Sequence, residues 1–203
     1  AVGFDASTCD VVNGTEIRWP QSHSARLLLR GQENGSGVSE KAIYFKKTMS
    51  KLLPKCGIEK LRMTLASYRC EARFYAEFAS EYRRNGVGLA HAFLAEDQLA
   101  EADESDEEKL RSGGTILFLE DLGLLEGYGQ FSPITAPQAM VALSSLAAFH
   151  AAGWENVELL ERASSRLHDA GCWYALSRRG EAELNNILRD WSAFMREFTP
   201  LYP

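Results

Sequence analysis

Apolar positions recur along this chain with two different periods. Ala25–Arg30 and Ala42–Thr48 are short β-prone runs separated by the Gly-, Ser- and Asn-rich stretch Gly31–Ser39. That composition between such runs predicts a hairpin. A weaker strand is expected before them near Asp10–Ile17, with turn signals at Asn13-Gly14 and Trp19-Pro20. From Leu61 to about Tyr82 the period lengthens. Leu65, Tyr68, Ala72, Tyr75, Ala79 and Tyr82 return at three- and four-residue steps, which sets them along one stripe of a helix. Gly86–Gly88 closes it, as glycine past a helix end commonly does. Leu89–Leu94 and Ile116–Glu120 read as two further strands.

Between those strands, Glu96 to Glu108 carries eight acids and no Lys or Arg, which predicts a solvated loop tip. After Thr135 the pattern is helical. Thr135-x-x-Gln138 has the form of a capping box, and Pro137 sits in the first turn, where its missing donor does no harm. Met140, Leu143, Ala147, His150 and Trp154 then share a face. A final helix, about Glu181–Phe198, carries Leu184, Ile187, Leu188, Trp191, Phe194, Met195 and Phe198 as a stripe that invites self-association if uncovered. This order predicts an α+β fold, with a strand-rich part over residues 1–122 and a helical part over 123–203.

Composition narrows the classes. With 45% hydrophobic and 25% charged residues, the chain has the make-up of an ordinary soluble globular protein. A net charge of -6 opposes general binding to nucleic acid or to an anionic membrane. No apolar run approaches the roughly 20 residues that span a bilayer, and no basic and apolar signal segment opens the chain. Cys9, Cys56, Cys70 and Cys172 are far apart, which favours free thiols and a cytoplasmic setting over a disulfide frame or zinc site. The first residue, Ala1, and the closing Phe-Thr-Pro-Leu-Tyr-Pro have the look of cuts in a longer chain.

Candidate chemistry begins at Lys46 and Lys47, after the apolar run Ile43-Tyr44-Phe45. Strand alternation sends them to opposite faces, so one points inward, where an ammonium needs an anion. Glu71 lies on the helix face of Tyr68, Tyr75 and Phe78, where a carboxylate needs a cation. A structural bridge and a phosphate-holding pair would use the same bond. In Leu117-Phe-Leu-Glu-Asp-Leu122 an apolar strand turns into a polar connection before a helical region, as a hinge between two parts would. His150, on the packed face of its helix, reads as a core histidine. His168-Asp169 has the wrong spacing for a His-x-Asp loop, and Asp190 falls off the apolar stripe of its helix.

Taken together, Phe-Lys-Lys, Tyr-Arg-x-Glu-x-x-Phe-Tyr, Leu-Glu-Asp-Leu and Leu-Ala-x-Phe-His-Ala-x-x-Trp resemble the ecdysteroid-kinase-like (CHK kinase-like) proteins. These are grouped with the aminoglycoside phosphotransferases and choline kinases. The resemblance runs from about Arg26 to the last helix. It implies a protein-kinase-like fold: an N-terminal lobe with a five-stranded antiparallel sheet and one main helix, a hinge, and the first helices of a helical C-terminal lobe. It implies that Lys46, with Lys47 as near alternative, meets the phosphates of ATP, and that Glu71 is its ion-pair partner. Glu120, Asp121 and Leu122 would be the hinge that receives adenine through the backbone. The implied reaction moves the ATP γ-phosphate to a hydroxyl of a small organic substrate, with Mg²⁺ bridging the phosphates. Two features depart from the pattern. Arg18–Ser24 stands where a glycine-rich loop is expected, with only Gly14 nearby, and neither the His-Gly-Asp loop nor the later Mg-binding Asp occurs in the 203 residues. An ATP-binding half that is inactive by itself is therefore expected, with a catalytically dead binding or scaffold module as the alternative.

Overall fold

Alternating β-prone residues pair into long antiparallel ladders. The computed structural model describes residues 10–19, 22–33, 36–53, 57–99, 105–125, 133–167 and 181–199. In it β1 is Asp10–Trp19, β2 Ser22–Glu33 and β3 Ser36–Met49. All three outgrow their predicted bounds, because ladder hydrogen bonds serve polar residues as well as apolar ones. Much of the expected turn Gly31–Ser39 is therefore strand. Arg30 faces Glu40 across the β2–β3 ladder and donates to its carboxylate from Nε at 2.8 Å. With β4 (Ala92–Asp97) and β5 (Gly114–Glu120), these strands form a five-stranded antiparallel sheet in the order β1-β2-β3-β5-β4. The fold is α+β, a sheet followed by helices.

Between β3 and β4 the chain makes a 3-10 turn, Ser50–Leu52, and then helix α1, Ile58–Arg73. The predicted single helix is interrupted by a π turn, Phe74–Phe78, before continuing as α2, Ala79–Arg84. The extra residue in that turn rotates the second half of the helix relative to the first. Before it, Leu61 and Leu65 pack with Leu53, Leu99 and Leu110, while Ala72 packs on Leu117 and Leu119 of the sheet. Beyond it, Phe78 and Tyr82 join Val87 and Leu159 in a separate cluster. Gly86 then takes a left-handed φ of 83°, which an L side chain would strain.

The acidic stretch is not simply a loop tip. Asp97 ends β4 with its carboxylate largely buried, and its Oδ2 accepts from Arg69 Nε at 2.9 Å and Arg73 Nε at 3.1 Å. Asp106 caps a short helix, α3 (Glu107–Leu110), by accepting from the backbone of Glu108 and Lys109. Residues 100–104 lie outside the described residues. The short turn α4, Leu122–Leu125, comes directly after β5.

The capping box forms as its sequence predicts and opens α5, Ala136–Gly153. The predicted packed face does not. Met140, Leu143, His150 and Trp154 are exposed, Trp154 to 76%. The side of α5 that packs carries Ala148, Phe149 and Ala152, and Phe149 stacks on Tyr82 with ring centroids 4.5 Å apart. Helix α6, Val157–Arg166, is capped by Asn156 and inserts Leu159 into the same cluster. The described structure divides into two compact units, Ala1–Gly171 and Cys172–Pro203. Within the second, α7 (Glu181–Phe198) leaves Ile187, Trp191, Phe194 and Met195 exposed, with Trp191 stacked on Phe194. Among the described residues no helix is long and apolar enough to cross a membrane.

Candidate functional site

Alternation along β3 separates the two lysines. Lys46 faces α1, and its Nζ donates to both oxygens of Glu71, at 2.6 and 2.9 Å. The pair is half-sheltered, with side-chain exposures of 24% and 35%. Lys47 lies on the opposite face, so Lys46 is the lysine that meets the helix. The sheet holds Lys46 in place: Ser24 of β2 and Leu117 of β5 are its cross-strand neighbours. Helix α1 holds Glu71 one position before the buried Ala72, which seats the helix against β5. Around the pair stand two phenols. Burial raises the pKa of Tyr68 and Tyr75 above the usual 10.0, and the Glu71 carboxylate adds to the rise by repelling a phenolate.

Ser24 is the feature that sequence reasoning missed. It is buried directly opposite Lys46, and its Oγ has no hydrogen-bond partner among the described residues. An orphaned buried hydroxyl calls for a ligand, water or other explanation. Only pairing register could have placed it there, since a serine in a β-prone run carries no signal by itself.

Glu120, Asp121 and Leu122 sit where β5 runs into α4. Two of the three amides are already engaged: Glu120 N–H donates to His91 O at 2.8 Å and Asp121 N–H to Ala42 O at 3.0 Å. The Asp121 side chain is 3% exposed and organises the connection. Its Oδ1 accepts from Gly123 N–H at 3.0 Å, and its Oδ2 lies 3.3 Å from Arg26 Nε, an ion-pair contact from β2. The Glu120 carboxylate accepts from His91 N–H at 3.1 Å and lines a cavity of about 470 Å³ with Glu40, Lys41, Ala42, Arg83, His91 and Phe93. Lys46 and Glu71 do not line that cavity. The structure thus joins Lys46 to Glu71 and places the hinge candidates at and just after the end of β5, with Glu120 three ladder positions from the Lys46 partner Leu117.

The remaining candidates separate cleanly. Asp190 is exposed beside Arg189, as its helical phase predicts. His150 is exposed on α5, which removes its reading as a core histidine. His168 and Asp169 lie outside the described residues, as do Pro20 and Gln21 of the segment standing for a glycine-rich loop. Gly14 lies within β1 opposite Leu27, away from that turn. Cys70 is half-buried on α1, and the other three cysteines fall outside the described residues. Among the described residues no three His, Cys, Asp or Glu side chains converge to hold a metal ion, so no Mg²⁺ ligand set is offered there. No family model, curated protein or solved structure matches the chain.

Proposed function

We propose that this chain is the ATP-binding portion of a kinase-like small-molecule phosphotransferase, inactive in phosphoryl transfer by itself. The observation that carries this reading is the two-oxygen contact between Lys46 on the third strand and Glu71 on the next helix. In kinases a lysine on the third strand is oriented by a helix glutamate so that its ammonium meets the nucleotide phosphates. A half-sheltered ammonium held this way is pre-aimed, which lowers the entropy lost when a phosphate arrives. The unpartnered Ser24 hydroxyl beside it adds a donor suited to the same anion. At the strand end, with the Glu120 and Asp121 amides engaged, adenine would be met by the Leu122 N–H and the segment's carbonyls.

The 203 residues contain no His-Gly-Asp loop, and the described ones no metal-ligand set. Binding without turnover is therefore the expected behaviour, in a cytoplasmic setting, with the acceptor hydroxyl compound recognised outside these elements. Calorimetry with Mg-ATP tests the reading. Wild-type chain binds, and Lys46→Ala weakens binding by at least about tenfold, the loss of one charge-assisted contact. Equal affinities for wild type and variant would remove Lys46 from this role and leave the ion pair as a structural bridge.

A further inference from the structure

The lysine that Glu71 does not meet stands in a different pocket. Lys47 and Met49 of β3 project from the sheet face opposite Lys46, beside Ile116 of β5, the cross-strand partner of Lys47. Lys51 reaches the same place from the 3-10 turn, and Arg111 from the end of α3. With Gln98, Ser112, Gly113 and Gly114 they line a cavity of about 260 Å³, just below the roughly 300–1,000 Å³ of common ligand sites.

Its charge is one-sided. Among the described lining residues three are cationic and none is acidic. Lys47 and Lys51 have no ion-pair partner among the described residues. Arg111 is anchored by Glu107, accepting from its Nε at 2.9 Å. Glu96, the ladder partner of Ile116 on β4, accepts from the Gln98 amide at 3.0 Å. Three cations from three separate elements thus converge in a chain whose net charge is -6.

Its walls are firm. Gly113 is left-handed, and a Cβ there would overlap Gln98 O at 1.8 Å, while one on Gly114 would overlap Thr48 O at 2.2 Å. The backbones of β3, β4 and β5 therefore fix the cavity before any ligand enters. Met49 and Ile116 add an apolar part to its lining.

We propose that this pocket binds a small phosphomonoester: the phosphate between Lys47, Lys51 and Arg111, a short apolar substituent on Met49 and Ile116. The site is separate from the Lys46–Glu71 pair and does not depend on its role. Phenyl phosphate and inorganic phosphate are the probes, titrated into the 203-residue chain and monitored by amide chemical shifts. Saturable shifts centred on Gln98, Gly113, Gly114 and Ile116 are expected, with phenyl phosphate bound more tightly. Lys47→Ala and Lys51→Ala each weaken binding about fivefold, Met49→Ala removes the preference for the phenyl compound, and Lys46→Ala changes none of this. Far-UV circular dichroism checks that the variants fold. No saturable shift for either probe, shifts centred on Lys46 and Glu71, or wild-type affinity in the Lys47→Ala/Lys51→Ala double variant would each overturn the proposal.

Discussion

At the scale of single residues, Glu71 acts on more than its lysine. It lies close enough to Tyr68 and Tyr75 to raise both phenols by charge repulsion, second to burial in each case. Glu71→Gln keeps the burial and removes the repulsion. Ultraviolet titration of that variant should show both tyrosines ionising at lower pH than in wild type, yet still above the usual value of about 10. An unchanged alkaline titration would mean that Glu71 is not beside them in solution. The Lys46–Glu71 contact was legible because each charge falls on an apolar stripe, at strand period for one and helix period for the other. What the sequence left open was which lysine faces inward, since residue identity is the same at both positions. Pairing register settles that for the contact. Ser24 and the buried Asp121 were not legible for the same reason: their roles depend on neighbours 20 or more positions away in sequence.

At the scale of elements, the π turn Phe74–Phe78 explains where helix reading fails. A three-four repeat continues smoothly through this region in sequence, but one inserted residue divides the helix into a half facing the sheet and a half facing α5 and α6. Insertions of this kind are stabilised by tertiary contacts and leave no mark in periodicity. Glu77, inside the turn, ties it to α6: Arg166 donates from Nη2 at 2.6 Å and Nε at 2.9 Å. Those hydrogen bonds hold its carboxyl below the ordinary 4.5, partial burial opposes them, and the charges of Arg166, Arg73 and Arg162 assist. With the folded value depressed, the stabilising contribution is complete above pH 4.5 and is lost as pH falls through the lowered value. Both side chains are at least a third exposed or nearly so, which limits the contribution to about 1 kcal/mol or less. Urea midpoints should therefore show Glu77→Gln less stable than wild type at pH 7, with the gap narrowing as the pH falls below 4.5. A gap that stays constant however far the pH falls below 4.5 would point to lost packing instead of lost charge.

At the scale of the whole molecule, Leu159 joins α6 to the helix between β3 and β4, packed at 1% exposure with Phe78, Tyr82 and Val87. Truncation leaves a cavity between elements more than 70 positions apart in sequence. Leu159→Ala should cost about 2–5 kcal/mol in a denaturant melt, and a loss below about 1 kcal/mol would show that α6 does not pack there. The α+β division was legible from the change of period alone, whereas the exposed outer side of α5 was not. Its apolar residues surround the helix, so periodicity could not select the side that packs. The sheet order has one further consequence, for the chain as it is made. β5 lies between β3 and β4, so β3 keeps one open edge until Gly114 emerges, about 65 positions after Met49. At translation rates of about 5–20 residues per second, that edge waits roughly 3–13 s on the ribosome. During that interval the nascent hairpins present an unpaired margin on which stray strands can pair.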